Sequence, residues 1–215
     1  MTLRVDTTIT EPGARDRIVR AATRLFARHG FEGTSLRMIA EAAGMQKGSL
    51  VYHFENKDKI REAVLDSLFS RWKAVLPQIM LAAASGDNRF QRVLDECSEF
   101  FLHEPDRARL LMRECLDHPE DLNRRLAGQV SPWLELVADT IKTGQRGGEI
   151  HTDLDPLAYI WLVVLMMLST VAVSDMAPGL TGEADLGPNE RLLGELTRIA
   201  RVSLFTQPPQ PREGV

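Results

Sequence analysis

Cysteine is scarce in this chain: Cys97 and Cys115 are the two thiols among 215 residues. Two cysteines give no disulfide framework, and they fit a reducing cytoplasm. Aromatic residues are few as well, at 6%. Runs of alternating Val, Ile and Thr are nearly missing, which argues against a sheet protein and for an all-α chain. No basic n-region, apolar h-region and small-residue cleavage site opens the sequence, so it reads as a chain with no signal peptide. Catalytic signatures are missing too. There is no nucleophile-elbow glycine pattern with Ser, His and Asp, no phosphate-binding glycine loop and no HExxH. An enzyme is therefore the weaker class of function, and no cofactor is expected.

What is present is the make-up of a soluble globular protein, 44% hydrophobic and 26% charged, long enough for one or two domains. The net charge of −4 argues against a nucleic-acid partner until it is divided along the chain. Residues 1–75 hold 13 Lys+Arg against 9 Asp+Glu, a net +4; the remainder holds 13 against 21, a net −8. Phosphate attraction is local at physiological salt, so the basic end is the informative one. An uneven scatter of surface charge is the plainer alternative.

The basic end carries the pattern around which the chain is organised, residues 34–54, TSLRMIAEAAGMQKGSLVYHF. Leu36, Ile39, Ala40 and Ala43 recur at i, i+3, i+4 and i+7, one apolar face of a helix that Thr34 or Ser35 can cap. Gly44 supplies a turn where a left-handed residue costs least. A second helix from about Gln46 to His53 turns Leu50 back to the first. It leaves Gln46, Lys47, Ser49, Tyr52 and His53 outside. Small Ala40 and Ala43 permit a close, steep crossing, as in a helix-turn-helix whose second helix enters a major groove.

Before it, residues 1–12 read as a flexible arm; Arg4 could touch DNA, and a disordered tail is the reading preferred. A helix from Ala14 to His29 follows, its stripe Ile18, Ala22, Leu25 and Phe26, with Arg15, Arg17, Arg20, Arg24 and Arg28 off that stripe and Gly30 ending it. After it, Asn56 caps a long helix from Lys57 through Ile60, Val64, Leu68, Trp72 and Val75, with Pro77 placed to kink it ahead of a loop at Ser85–Asp87. Helices then span about Asn88–His103, Pro105–Leu116, a short polar run through Arg124 and Arg125, and Trp133–Thr143, the last ended by Gly144, Gly147 and Gly148.

Residues 157–174, LAYIWLVVLMMLSTVAVS, carry no charge. The stretch is short for a membrane span, Asp155 and Asp175 bracket it, and no Lys or Arg lies within ten residues. A helix buried on all sides in a soluble oligomer is the reading preferred over a membrane anchor. A Gly/Pro-rich loop from Ala177 leads to a last helix at about Glu190–Phe205 and a tail, Pro208–Pro211. Two neighbouring apolar helices at a chain's end, about 156–175 and 189–205, suit an isologous homodimer.

The run RIVRAATRLFARHGFEGTSLRMIAEAAGMQKGSLVYHFENKDKI resembles the amino-terminal motif of TetR-family (TetR/AcrR-like) transcriptional regulators, with its LFxxxG[FY]xxT, IAxxAG, KGxL and HFxxK elements. The resemblance implies an all-α fold. An amino-terminal three-helix DNA-binding domain at 12–60 would be joined by a long helix to a helical ligand-binding and dimerisation domain at 61–207. It also implies a ligand-responsive regulator, typically a repressor released from a palindromic operator by a small molecule. Ser35 and Arg37 match positions that reach phosphates or a base. Gln46, Lys47, Ser49, Tyr52 and His53 match the groove-facing recognition helix, and Lys57 matches a phosphate contact. Val51 stands where the family most often has a phosphate-bonding Tyr; Tyr52 is the substitute at hand. Chemically, Gln46 can bond adenine bidentately and Lys47 can reach guanine. Tyr52 and His53 can alternatively pack into the seam between helices.

An inducer would lie in the second domain. Phe100, Phe101, His103, Met112, Cys115, Trp133, Val137, Met166 and Met167 are candidate lining residues, mostly apolar, and suit a hydrophobic or aromatic molecule. The same residues also suit a plain core. Cys97, His103, Cys115 and His118 have no compact zinc spacing, so no metal is expected and inert thiols are the default. A redox pair of Cys97 and Cys115 requires Cα atoms within about 7 Å. A DNA-binding protein that needs no ligand is the remaining alternative.

Overall fold

A computed structural model describes residues 13–84, 89–176 and 188–206, and its elements are all helices. The arm, the loop at Ser85–Asp87, the loop from Ala177 and the Pro208–Pro211 tail lie outside the described residues. Two compact units divide after Leu68.

In the first unit, α1 (Ala14–His29) packs on α2 (Leu36–Ala42) and α3 (Lys47–His53), and α4 (Lys57–Ala84) begins. Ile18, Ala22 and Phe26 of α1, Ile39 and Ala40 of α2, Leu50 of α3 and Ile60 of α4 are all fully buried or nearly so. These are the apolar positions of four helical stripes, removed from water together. Ser35 caps α2, its Oγ accepting the Met38 N–H at 3.2 Å, and Asn56 Oδ1 accepts the Lys59 N–H at 2.9 Å to start α4. Gly44 takes φ +67°, the left-handed turn between α2 and α3. The five arginines of α1 are exposed.

The second unit continues α4, which passes through Pro77 to Ala84, and adds α5 (Arg89–Leu102), α6 (Pro105–Asp117), α7 (Pro119–Gln129), α8 (Ser131–Arg146), α9 (Pro156–Ala172) and α10 (Pro188–Leu204). α9 packs against α6, α8 and α10. Tyr159 of α9 donates its hydroxyl to the Ala200 carbonyl of α10 at 2.7 Å, and burial raises its pKa above the ordinary phenol range.

One expectation changes here. Gly144 does not end α8: the helix runs to Arg146, with Gly147 as its cap and Gly148 at φ +77°. Gly144 is instead a close-approach position, because a Cβ there would sit 2.6 Å from Ile150 Cδ1. Within the protomer, α9 is covered in part. Val163, Met167, Leu168 and Val171 are buried, whereas Leu157, Trp161 and Leu162 remain exposed. Among the described residues, no helix is long and apolar enough to cross a membrane.

Candidate nucleic-acid interface

α3 has seven residues and is too short to persist alone in water. Leu50, fully buried, and Phe54, 4% exposed, fix it to the unit. Gln46 is the extended N-cap residue, so the helix starts one residue later than its sequence suggests. With Leu50 turned in, Gln46, Lys47, Ser49, Val51, Tyr52 and His53 are all exposed. Tyr52 is 88% exposed and meets His53 edge-on at 5.4 Å between ring centroids. That exposure excludes the seam-filling role for Tyr52. Val51, also exposed, offers no polar atom to a phosphate, and the Tyr52 phenol lies one residue away.

α2 presents Ser35 and Arg37 at its exposed start. The Ser35 oxygen accepts from Met38, which leaves its O–H available as a donor. Arg37 donates to Glu41 at 2.8 Å, and that hydrogen bond, with the carboxylate's charge, pushes the guanidinium pKa further up. Both partners are exposed, so the pair is weak enough to be exchanged for a phosphate.

Lys57 is engaged within the first unit. Its ammonium donates to the Phe31 carbonyl at 2.8 Å, lies 4.1 Å from the centroid of the Phe31 ring and sits 3.9 Å from Glu32. Its side chain is 22% exposed. Beside the end of α3 an open cleft of about 240 Å³ is lined by Arg15, His53, Glu55, Lys59, Glu62 and Asp66 among others. Its cations are matched by carboxylates, so it offers no net positive site.

In the second unit, five of the nine candidate lining residues come together. Phe100, Phe101 and Met167 are buried in one cluster, with Met112 and Met166 packed against it. Trp72 of α4, which the lining set lacks, stands edge-on to Phe100 at 5.1 Å and stacks on Phe101 at 6.0 Å. Its place on the Leu68–Trp72–Val75 face was the available signal. Cys115, Trp133 and Val137 are half-buried, and His103 is exposed, its Nε2 2.9 Å from Glu99. His103 is thus a surface residue that follows the end of α5 at Leu102 and faces water. Burial pushes the Cys97 thiol up to about 12 and raises Cys115 as well, so neither is a ready thiolate. Among the described residues, no three His, Cys, Asp or Glu side chains gather as metal ligands.

Residues 18–64 match the model described as bacterial regulatory proteins, tetR family, and residues 87–190 match that of the Tetracyclin repressor-like C-terminal domain. The chain is 25% identical over 158 residues to the HTH-type transcriptional repressor KstR2 of Rhodococcus jostii, covering 70% of this chain and 74% of that one. It is 29% identical over 167 residues to the HTH-type transcriptional regulator RutR of Escherichia coli, covering 75% and 74%. The solved ketosteroid transcriptional regulator KstR2 of Mycobacterium tuberculosis shares the fold, with a TM-score of 0.63 at 19% identity over 91% of this chain and 96% of that one.

Proposed function

The chain belongs to the TetR family of bacterial transcriptional regulators, and from that premise we propose that it represses transcription in the cytoplasm as a homodimer on a palindromic operator. The observation that carries this reading is α3 itself: one buried leucine surrounded by exposed Gln46, Lys47, Ser49, Tyr52 and His53. A short helix rigidly anchored on one side, with donors and acceptors on the other, is what base-edge readout requires. Gln46 and Lys47 read bases, Ser49, Tyr52 and His53 contact bases or backbone, and Ser35 and Arg37 position the unit on phosphates. The domain that binds DNA takes in residues 12–60 and the ligand domain 61–207.

Release is by a small, largely apolar molecule held in the second domain by the Phe100, Phe101, Met112, Met166 and Met167 cluster, with Cys115, Trp133 and Val137 at its margin. A solved neighbour titled a ketosteroid transcriptional regulator supports an apolar ligand class. The ligand favours a dimer whose recognition helices no longer sit about 34 Å apart, a population shift that requires unequal affinity for the two geometries. The test is fluorescence anisotropy with the promoter DNA flanking this protein's own coding sequence, across several salt concentrations. Specific binding that weakens steeply with salt is expected. Equal affinity for unrelated DNA, and no enriched sequence from a random pool, would overturn the reading.

A further inference from the structure

We propose that Lys57 is a positioning residue: it staples the α1–α2 loop to the first turn of α4 and contacts no phosphate. The inference rests on the DNA-binding reading above. Three observations place the ammonium. Its hydrogen bond to the Phe31 carbonyl is short, 2.8 Å across 26 residues. The Phe31 ring lies under it at 4.1 Å, within cation–π range. Glu32 supplies a negative charge at 3.9 Å. The charge is therefore met from three sides by one loop, and the side chain is largely withdrawn from solvent.

The loop is built to receive it. Gly30 takes φ +74° to leave α1. Gly33 packs so tightly that a Cβ would lie 2.3 Å from the His29 carbonyl oxygen. Thr34, buried, donates its hydroxyl to the Gly30 carbonyl at 2.8 Å, and its N–H reaches the same Phe31 oxygen at 3.2 Å. Phe31 in turn leans on Phe26 of α1 at 5.5 Å. This rigid five-residue link leads directly into Ser35 and Arg37. Holding it to α4 sets where α2 presents those residues, and any tilt of α4 is passed to α2 through Lys57.

The test uses the full-length protein and an operator selected from random DNA. Lys57→Met and Phe31→Leu are each compared with wild type for affinity at five salt concentrations, at a temperature well below both melting points. Phe31→Leu keeps apolar bulk against Phe26 and leaves the lysine in place, so it covers the case in which Lys57→Met folds poorly. A staple predicts that both variants lose about tenfold in affinity, about 1.4 kcal/mol. It also predicts an unchanged slope of log K against log salt, no further loss in the double variant, and recovery in Lys57→Arg. A phosphate contact predicts that Lys57→Met lowers the slope by about 1.8, about 0.9 for each protomer of the dimer, while Phe31→Leu changes nothing. That result, or wild-type affinity in both variants, overturns the proposal. Wild type that selects no sequence and binds without salt dependence overturns the DNA-binding reading itself, and this role with it.

Discussion

Gly33 occupies a space that no other residue fits, because the missing Cβ would meet backbone, which cannot swing aside as a side-chain end can. Gly33→Ala is expected to cost about 1–3 kcal/mol, the usual range for overpacking, seen as a lower melting temperature by circular dichroism. An unchanged melting curve would mean the loop yields freely, and the rigidity argued for it would be lost. Cys97 makes a second residue-level prediction through linkage. Its thiol is pushed up to about 12 in the fold from 9.0, chiefly by burial. A raised acid favours the folded state while it stays protonated, so the contribution is intact below pH 9 and disappears as pH rises towards 12. Between pH 9 and 10.5 the stability of wild type should therefore fall faster than that of Cys97→Ala, by up to about 1.4 kcal/mol per pH unit. Parallel pH profiles in urea unfolding would show that the thiol does not titrate differently on folding.

At the scale of elements, Arg109 ties α6 to the end of α9. It donates to the Ala172 carbonyl at 3.0 Å, to Asp106 at 3.1 Å and to Asp175 at 2.8 Å. Arg109 and Asp106 are 20% and 16% exposed at the side chain, whereas Asp175 is largely in water. Arg109→Met keeps the aliphatic stem but orphans a sheltered carboxylate and a helix-end carbonyl, with an expected loss of about 1.5–3 kcal/mol. Asp175→Asn should cost far less, since its pair is screened. Urea unfolding of the two variants checks both, and equal losses would refute the ranking. The helices themselves were legible from sequence because their stripes are local: Ile18, Ala22 and Phe26 predict α1 by spacing alone, and Ser35, Asn56 and Gly44 mark ends by their own chemistry. The exposed face of α3 followed once Leu50 was turned inward. Lys57–Phe31, Arg109–Asp175 and Gly144–Ile150 were not legible, because each joins residues whose proximity is decided by packing rather than by period. Reading Gly144 as a helix end applied a local rule at a position where contact with Ile150 wins.

For the whole molecule, the question is what covers the apolar side of α9 and α10. Leu157, Trp161 and Leu162 on α9, and Ile199 and Val202 on α10, are each at least 41% exposed in the protomer. Leu157 and Trp161, four residues apart, share one side of α9, with Leu162 about 100° further round, and Ile199 and Val202, three apart, share one side of α10. Leaving such a side in water forfeits apolar burial, and a second copy meeting it about a two-fold axis would recover that on both protomers. Leu162→Asp and Val202→Asp should then sediment as monomers with unchanged helix content, because neither side chain is needed inside the protomer. Leu116→Asp is the control: Leu116 is 78% exposed and belongs to α6, not to α9 or α10, and its substitution should leave the dimer intact. A monomer holds one recognition helix, so its operator affinity should drop by about 100-fold or more as the linked second half-site is lost. If Leu162→Asp and Val202→Asp sediment as dimers with full operator affinity, the two protomers meet elsewhere, and the apolar side needs a different occupant. If they turn monomeric yet keep affinity, one recognition helix suffices, and the two-fold operator loses its physical basis.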